Sequence, residues 1–402
     1  MHLSHLSLTN FRIFSRLELE FPRRVILFHG SNAQGKTSIL EAVAFLAIFT
    51  SFSSSSDRQM INFNLPESDP LQVARIVADY QRNNKKHNLE ARLILEKNGG
   101  EGLFRLRKEA LLNGVSRRFS DLYGQFNAVS FLPQMSKIIE GSPSDRRRYL
   151  DEVLCQVEPG YSRHLIRYNQ ANTRRNALLK HLAEHNGNPN QLEPWDVMLS
   201  EHGAILIRGR IKLISQLETL ARRSHHDLTG GKEVFRIDYQ PSFDPLTEEN
   251  GQLGLPVDQV ADRGNIDLSE IQKGFQTGLE KRHRQDILRG STGIGPHRDE
   301  MRLLANQVDL GNYGSRGQSR TALLSLKFAE VELMHARTGE WPVLLLDEVM
   351  AELDPLRRQS LMQLLDKVEQ AFVTTTDLDM FDPEFLRNHE IWKVHQGVVS
   401  GA

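Results

Sequence analysis

The sequence predicts an α/β fold, a mixed sheet with flanking helices, that is interrupted by an inserted helical arm. A short apolar run, a glycine-rich loop and a helical pattern follow one another at residues 25–46. A second apolar run, at residues 343–348, ends in two acids. Between these two segments apolar residues recur every three or four positions, which is the spacing of helices. We therefore place the α/β domain at residues 1–142 and 291–402, and the arm with its antiparallel helix hairpin at residues 143–290.

The composition is that of an ordinary globular protein. Of 402 residues 39% are hydrophobic, and 50 Lys and Arg stand against 51 Asp and Glu, so binding of a polyanion must rest on local patches. A single cysteine, Cys155, excludes an intrachain disulfide. The longest apolar stretch, residues 39–49, is about half the length of a membrane span. The amino terminus lacks a signal-peptide pattern, so we expect a soluble, cytoplasmic protein with no membrane partner.

The first part of the chain predicts strands around one helix. Residues 17–21 alternate between apolar and acidic, which is typical of a half-buried strand, and residues 25–28 suit a buried strand. Residues 39–46 suit a helix. The next segments are predicted as a serine-rich loop at 51–56 and strands at 73–80, 89–95 and 104–112, the last ending in the Asn113-Gly114 turn.

The middle of the chain predicts helices. Apolar residues at helical spacing define one helix from about residue 143 and a second over 195–220, each about 30 residues long. A turn at 186–190 separates them, which makes a helix hairpin. A loop at 229–264 and a helix at 267–288 follow, and a further buried strand is expected at 371–374.

The glycine-rich loop matches the P-loop pattern G-x-x-x-x-G-K-[ST] at every fixed position. Its backbone N–H groups and the following helix end would bind phosphate, Lys36 would reach the β- and γ-phosphates, and the Thr37 hydroxyl would ligate Mg²⁺. A chance match is the alternative, which the strand before the loop and the helix after it disfavour. The predicted ATP-binding residues are Gly30, Ser31, Asn32, Ala33, Gln34, Gly35, Lys36, Thr37 and Ser38.

The acids that end the second apolar run complete a hydrolytic site. Asp347 is expected beside the Mg²⁺, and Glu348 is expected to orient or deprotonate the attacking water. Such a pair alone is weak evidence, because strands often end in acids. Together with a P-loop it indicates an enzyme that hydrolyses ATP.

Ser315-Arg-Gly317-Gln318 stands 32 residues before Asp347 (347 − 315) and precedes an apolar helix. It resembles the S-x-G-Q signature of ATP-binding cassette proteins, in which this serine contacts the γ-phosphate held by the other subunit. A plain helix cap at Ser315 is the alternative. Asp354 lies in a segment, residues 351–354, that resembles the loop crossing such a dimer interface.

Three further runs resemble the RecF family, in the SMC-like branch of these ATPases. They are residues 133–151, which follow that family's central motif, the Gly-Pro-His-Arg-Asp run at 295–299, and residues 344–361. Residues 9–14 resemble the amino terminus of the SMC-like proteins, and this resemblance implies that Arg12 lies near the nucleotide. Gln134 stands where the family usually has an acid, and it is kept as a catalytic and Mg²⁺-sensing candidate. Where the family often has an arginine after Ser-Phe, this chain has Ser53.

The resemblance implies a weak, DNA-stimulated ATPase of DNA repair, DNA replication and the SOS response. Such a protein forms an ATP-dependent homodimer, binds duplex DNA near single-strand gaps without sequence specificity, and acts with RecR and RecO to load RecA. A nucleotide switch without hydrolysis and a transporter ATPase subunit are the alternatives. The predicted catalytic residues are Glu348, Lys36 and Gln134, and the predicted trans contacts to ATP are Ser315, Gly317, Gln318 and Asp354.

Basic residues cluster on the predicted arm. The clusters could line one face and contact DNA phosphates, although a solvated face paired with acids is an equally good interpretation of any single cluster. The DNA-binding candidates are Arg174, Arg175, Arg208, Arg210 and Lys212.

Overall fold

The computed structural model describes residues 1–52, 56–66, 69–97, 104–185, 187–245 and 266–401. Parts of the loops and turns predicted at 51–56, 186–190 and 229–264 lie outside these residues, as does Ser53. The strands are β1 His2–Phe11, β2 Phe14–Glu20, β3 Val25–His29, β4 Leu71–Arg82, β5 Lys85–Lys97, β6 Phe104–Leu112, β7 Val115–Arg117, β8 Ala128–Phe131, β9 Phe235–Gln240, β10 Glu300–Ala305, β11 Val308–Asp309, β12 Val343–Asp347, β13 Ala371–Thr375, β14 Glu390–His395 and β15 Val398–Gly401. The α-helices are α1 Lys36–Ile48, α2 Phe119–Leu122, α3 Lys137–Glu140, α4 Pro143–Val157, α5 Tyr161–His185, α6 Glu193–Thr229, α7 Leu268–Lys281, α8 His283–Arg289, α9 Leu310–Tyr313, α10 Arg316–Thr338, α11 Pro355–Leu365 and α12 Pro383–Asn388.

The chain divides into two compact units, residues 1–136 with 324–402, and residues 137–323. The first unit holds two six-stranded sheets. One is antiparallel, in the order β2-β1-β4-β5-β6-β7. The other has the order β15-β14-β3-β13-β12-β8 and is parallel except for β15. Because β3, β13 and β12 are parallel neighbours, the segments that follow them meet at one edge of the sheet.

Helix α1 belongs to the core of the first unit. Ile39, Leu40, Val43 and Phe45 are fully buried and cluster with apolar residues of both sheets. A helix that is apolar on nearly all sides is stable only inside such a core. The start of α1, at Lys36, is thereby fixed relative to the sheet edge.

The second unit contains the helix hairpin, α5 and α6, and a three-stranded antiparallel sheet in the order β11-β10-β9. The two helices of the hairpin differ in length from the predicted helices. The helix predicted from residue 143 is broken after Val157, because Pro159 removes a backbone donor and Gly160 has a φ of 81°. Helix α6 is 37 residues long, about 55 Å at 1.5 Å per residue.

Two further predictions differ from the structure. The helix predicted at 267–288 is two helices, α7 and α8, and part of the predicted 229–264 loop is strand β9. The division between the units also falls elsewhere than predicted, since residues 291–323 group with the helical unit. The physical reason is that β10 pairs along its whole length with β9 and packs against α4.

Candidate nucleotide site and signature segment

The P-loop joins β3 to α1 through a tight backbone path. Gly35 has a φ of 106°, and a Cβ there would lie 2.7 Å from Ile13 Cδ1 and 2.8 Å from Phe14 Cζ. A Cβ on Gly30 would overlap the Val394 carbonyl oxygen. Glycine is therefore required at both fixed positions of the motif, for conformation at one and for close approach at the other. Residues 31–33 between them are exposed to solvent.

The ammonium of Lys36 is held at the centre of this loop. Its side chain is 5% exposed, and Nζ donates to the carbonyl oxygens of Gly30 at 2.5 Å and Ser31 at 3.2 Å. Nζ also lies 3.0 Å from Glu348 Oε1, in an ion pair. A desolvated cation with donors turned into the loop is suited to meet phosphate oxygens.

Thr37, Asp347 and Thr374 form a hydroxyl and carboxylate cluster at the sheet edge, in which Asp347 and Thr374 are buried and Thr37 is half-buried. Thr37 Oγ1 lies 2.9 Å and 3.0 Å from the two carboxylate oxygens of Asp347. Thr374 Oγ1 donates to Asp347 Oδ1 at 2.8 Å. Burial raises the pKa of Asp347, whereas the hydrogen bonds from the two threonines act in the opposite direction. A largely desolvated carboxylate beside a hydroxyl is a donor set that fits Mg²⁺.

Glu348 adopts an unusual backbone conformation next to this cluster. Its φ is 53° and its ψ is 16°, the left-handed region that is uncommon for residues other than glycine. Its N–H donates to Thr374 Oγ1 at 3.0 Å. The Glu348 side chain is 29% exposed, so that it borders both Lys36 and solvent. Strain of this kind is commonly found at functional sites.

Thr374 is a site residue that the sequence analysis missed. It is fully buried, and its one hydroxyl connects the Asp347 side chain with the Glu348 backbone. Its position at the carboxyl end of the predicted strand at 371–374 was the available signal. Only the sheet order, with β13 between β3 and β12, assigns it to the site.

Arg12 is bound to the P-loop helix. Its guanidinium donates to both carboxylate oxygens of Glu41, at 2.6 Å and 2.7 Å, and to the Gln59 carbonyl at 2.9 Å. Glu41, which is 1% exposed, lies on α1 and also accepts from the Ser51 hydroxyl at 2.5 Å. Arg12 therefore anchors α1, and its predicted contact with ATP stays a prediction.

Three other predicted site residues of the first unit lie in a turn, at the start of a helix and in the P-loop. Gln134 is exposed in the turn that follows β8, which is the neighbour of β12 in the sheet. Asp354 caps α11, because its side chain accepts from the Arg357 N–H at 3.0 Å and pairs with the Arg357 guanidinium. Gln34 Oε1 accepts from the Gln396 N–H at 2.6 Å, which ties the P-loop to the β14–β15 turn.

In the second unit, the signature segment forms the start of α10. Ser315 Oγ accepts from the Gln318 N–H at 3.2 Å, and Gln318 Oε1 accepts from the Ser315 N–H at 3.1 Å. This reciprocal arrangement is a capping box, so the helix-cap alternative describes the geometry seen here. Gln318 also donates to Glu233 Oε1 at 2.9 Å. Ser315 and Gly317 remain exposed, and their trans role stays a prediction.

The charges of this helix end are unusual. Its first turn carries no acid, and Arg316 is exposed at the first helical position. A cation at the positive end of a helix is unfavourable unless an anion is bound there. Glu233 contacts this turn through Gln318, whereas Ser315, Arg316 and Gly317 are exposed, and this exposed part of the α10 end is suited to an anion.

Two predicted DNA-binding residues are corrected by the structure. Arg175 is fully buried between Asp196 and Asp286, at 2.7 Å and 2.8 Å. The Arg210 guanidinium is buried between Asp151 at 2.9 Å and Asp299 at 3.0 Å. Both arginines hold the helices of the second unit together and are inaccessible to DNA.

The other three DNA-binding candidates are accessible to different degrees. Arg174 and Lys212 are exposed, and Arg208 is half-buried. Arg174 also lies over the Trp195 ring, 5.8 Å from its centroid. These three residues stay predictions.

Within the described ranges, no helix is long and apolar enough to cross a membrane. No group of three or more His, Cys, Asp or Glu suited to a metal ion occurs among the same residues. Thr37 and Asp347 are the residues that would hold a Mg²⁺ ion here, and the predicted role of Gln134 at that ion stays a prediction.

The chain matches the family model described as RecF/RecN/SMC N terminal domain over residues 2–400. It is 35% identical to the DNA replication and repair protein RecF of Herpetosiphon aurantiacus, over 99% of each chain. A solved structure of the recombination mediator protein RecF with ATP, in the RecFOR pathway, matches with a TM-score of 0.82 at 29% identity, covering 100% of this chain and 97% of that one. An Smc head bound to the C-winged helix domain of ScpA, at 14% identity and a TM-score of 0.52, covers 100% of this chain and 97% of that one and shows the fold alone. The predicted fold class, an SMC-type ATPase head with an inserted arm, is confirmed.

Proposed function

This chain belongs to the RecF family, whose members share the RecF/RecN/SMC N-terminal domain, and from that membership we propose that it is an ATP-dependent DNA-binding protein of recombinational repair and replication restart. Two copies close around two ATP molecules and bind duplex DNA near single-strand gaps without sequence specificity. With RecR and RecO, the dimer promotes the loading of RecA. Slow, DNA-stimulated hydrolysis of ATP to ADP and phosphate ends the cycle.

The observation that carries the proposal is the joint placement of Lys36, Thr37, Asp347 and Glu348 at one sheet edge. Lys36 exchanges its loop carbonyls and Glu348 for phosphate oxygens when the nucleotide binds. Thr37 and Asp347 would hold Mg²⁺, which would neutralise charge on the phosphate oxygens. Released from Lys36, Glu348 orients a water molecule and accepts its proton.

The anion-suited end of α10 supports a site shared between two chains. Ser315 is exposed there, with Arg316 beside it and no acid in the first turn. In the proposed dimer this end meets the γ-phosphate held by the partner's P-loop, and the interface is isologous. Each chain then lacks part of its own site, so turnover rises with protein concentration.

For DNA, the accessible candidates Arg174, Arg208 and Lys212 support contacts with phosphates. Such contacts carry no sequence information. They weaken as the salt concentration rises, because salt cations compete with the basic side chains for the phosphates. A titration of gapped duplex with and without ATP, at two salt concentrations, measures this contribution. Affinity that depends on neither ATP nor salt would contradict the DNA part of the proposal.

Light scattering of the chain with Mg²⁺ and ATP tests the dimer. We expect ATP to shift the wild type from monomer to dimer and Lys36→Ala to stay monomeric, while Lys85→Ala, an exposed lysine of the same unit, behaves as the wild type. Normal ATP-driven dimerisation of Lys36→Ala would refute the proposal.

The role of Glu348 is tested separately. Glu348→Gln should dimerise normally and dissociate more slowly from gapped DNA, because the water-activating carboxylate is lost. Phosphate release in the presence of DNA separates the proposed ATPase from a nucleotide switch that does not hydrolyse.

A further inference from the structure

Tyr313 is a strongly exposed aromatic residue next to the signature segment. It is 80% exposed and lies two residues before Ser315, at the end of α9. Burial of an aromatic side chain is among the larger favourable contributions available to a contact, so a partner that covers this ring would gain from doing so. The P-loop mechanism described above does not use this side chain.

The segment that presents Tyr313 is held rigidly. Asp309 caps α9 by accepting from the Gly311 N–H at 2.9 Å, and Leu310 is 2% exposed. The Gly314 N–H donates to the Leu310 carbonyl at 3.1 Å, and a Cβ on Gly314 would lie 2.6 Å from that oxygen. These contacts fix the backbone that carries Tyr313.

The ring is also close to the predicted phosphate contact. Two residues of chain span at most about 7 Å, so Tyr313 and Ser315 occupy one small area of surface. A nucleotide whose γ-phosphate meets Ser315 has its base one triphosphate and ribose away from that serine, a distance over which a long side chain beside the serine can meet a nucleotide lying along this surface. An exposed aromatic ring can stack on any purine face.

We propose that Tyr313 stacks on the base of the ATP held by the partner's P-loop, and so makes dimerisation depend on the nucleoside as well as on the triphosphate. This inference rests on the proposed function, because it requires the ATP-bound dimer. The chain that supplies Ser315 to the γ-phosphate would thus also contact the base of the same ATP, through Tyr313. Binding of ATP to the separated monomer does not involve the ring.

The test compares Tyr313→Phe, Tyr313→Leu and Tyr313→Ala by light scattering with Mg²⁺ and ATP. We expect Phe to match the wild type, while Leu and Ala raise the dimer dissociation constant about tenfold or more, since each base stacked on an aromatic side chain contributes about fivefold to a hundredfold and the dimer contains two such contacts. ATP affinity of dilute, monomeric protein should be unchanged in all three. Val308→Ala, at another exposed apolar residue of the same unit (46% exposed), is the matched control.

A second readout uses 2-aminopurine riboside triphosphate, whose fluorescence is quenched by stacking. Quenching should appear as the wild type and Tyr313→Phe dimerise, and should be absent in Tyr313→Leu. If Leu matches Phe in affinity, or if dimerisation of the wild type brings no quenching, the ring covers apolar protein surface and the inference is wrong. If the wild type does not dimerise with ATP at all, it is the proposed function that fails.

Discussion

The hydroxyl of Thr374 offers a sharp test of how the nucleotide site is held. Thr374→Val keeps the size and shape of a fully buried side chain and removes only the hydroxyl. That hydroxyl donates to Asp347 at 2.8 Å and accepts from the Glu348 N–H at 3.0 Å. Thr375→Val is a matched control, because Thr375 is also buried and its hydroxyl makes two hydrogen bonds, both to the backbone of Asp377.

The magnitudes follow from the bonds that are lost. A hydrogen bond to a charged group contributes about 1.5–3 kcal/mol, and an unsatisfied buried N–H costs about 1–3 kcal/mol. We expect Thr374→Val to lower the free energy of unfolding by about 3 kcal/mol and Thr375→Val by about 2 kcal/mol. Stability therefore does not separate the two variants, whereas the Mg²⁺ requirement does.

The assay is ATP hydrolysis on gapped DNA as a function of Mg²⁺ concentration, at a temperature where both variants are folded. Loss of a group that orients a metal ligand typically reduces metal affinity or activity about 10–100-fold, and we expect this for Thr374→Val. Thr375→Val should keep the Mg²⁺ dependence of the wild type. An unchanged Mg²⁺ dependence in Thr374→Val would refute the role given to this hydroxyl.

The remaining predictions concern buried charges. Burial raises the pKa of Asp347 in the folded chain above its value in the unfolded chain. Between these two pKa values the folded chain retains a proton that the unfolded chain has lost. The free energy of unfolding therefore falls as the pH rises through this range, and it stays lower above the range. Asp347→Asn should thus raise the melting temperature of nucleotide-free protein at neutral pH, with a gain that shrinks on acidification; a lower melting temperature at neutral pH would contradict this. Arg175→Ala leaves Asp196 and Asp286 buried without their cation and should cost about 3–5 kcal/mol in urea unfolding. Arg174→Ala, at the exposed neighbouring residue, should change the free energy of unfolding by less than about 0.5 kcal/mol. Equal losses of stability in the two variants would contradict the structural role given to Arg175.

The parts of the site that sequence could predict are local in the chain. Strand, loop and helix follow one another around Lys36, and the run that ends in Asp347 and Glu348 has the apolar character of a buried parallel strand. The hydroxyl of Thr374 could not be assigned, because its role depends on which strand lies between β3 and β12. That order is a property of the sheet and not of any one segment.

The buried positions of two arginines of the arm also could not be predicted from the sequence. Helical spacing places Arg175 and Arg210 on a helix but does not say which face is buried, and an arginine is usually assigned to the surface. Their acidic partners include Asp286 and Asp299, which are 111 and 89 residues away along the chain. The break at Pro159-Gly160, in contrast, is a local signal that the helical pattern obscured.

Mixing two inactive variants tests most directly whether each ATP is bound by two chains. Lys36→Ala removes the P-loop contact and Ser315→Ala removes the trans contact, so neither variant alone can form a complete site. In a mixed dimer, one of the two sites combines an intact Lys36 with an intact Ser315, and the ATP at this site joins the two chains even though Lys36→Ala alone stays monomeric. We predict that the mixture hydrolyses ATP on gapped DNA although neither variant does so alone, and a mixture as inactive as its components would contradict the shared site.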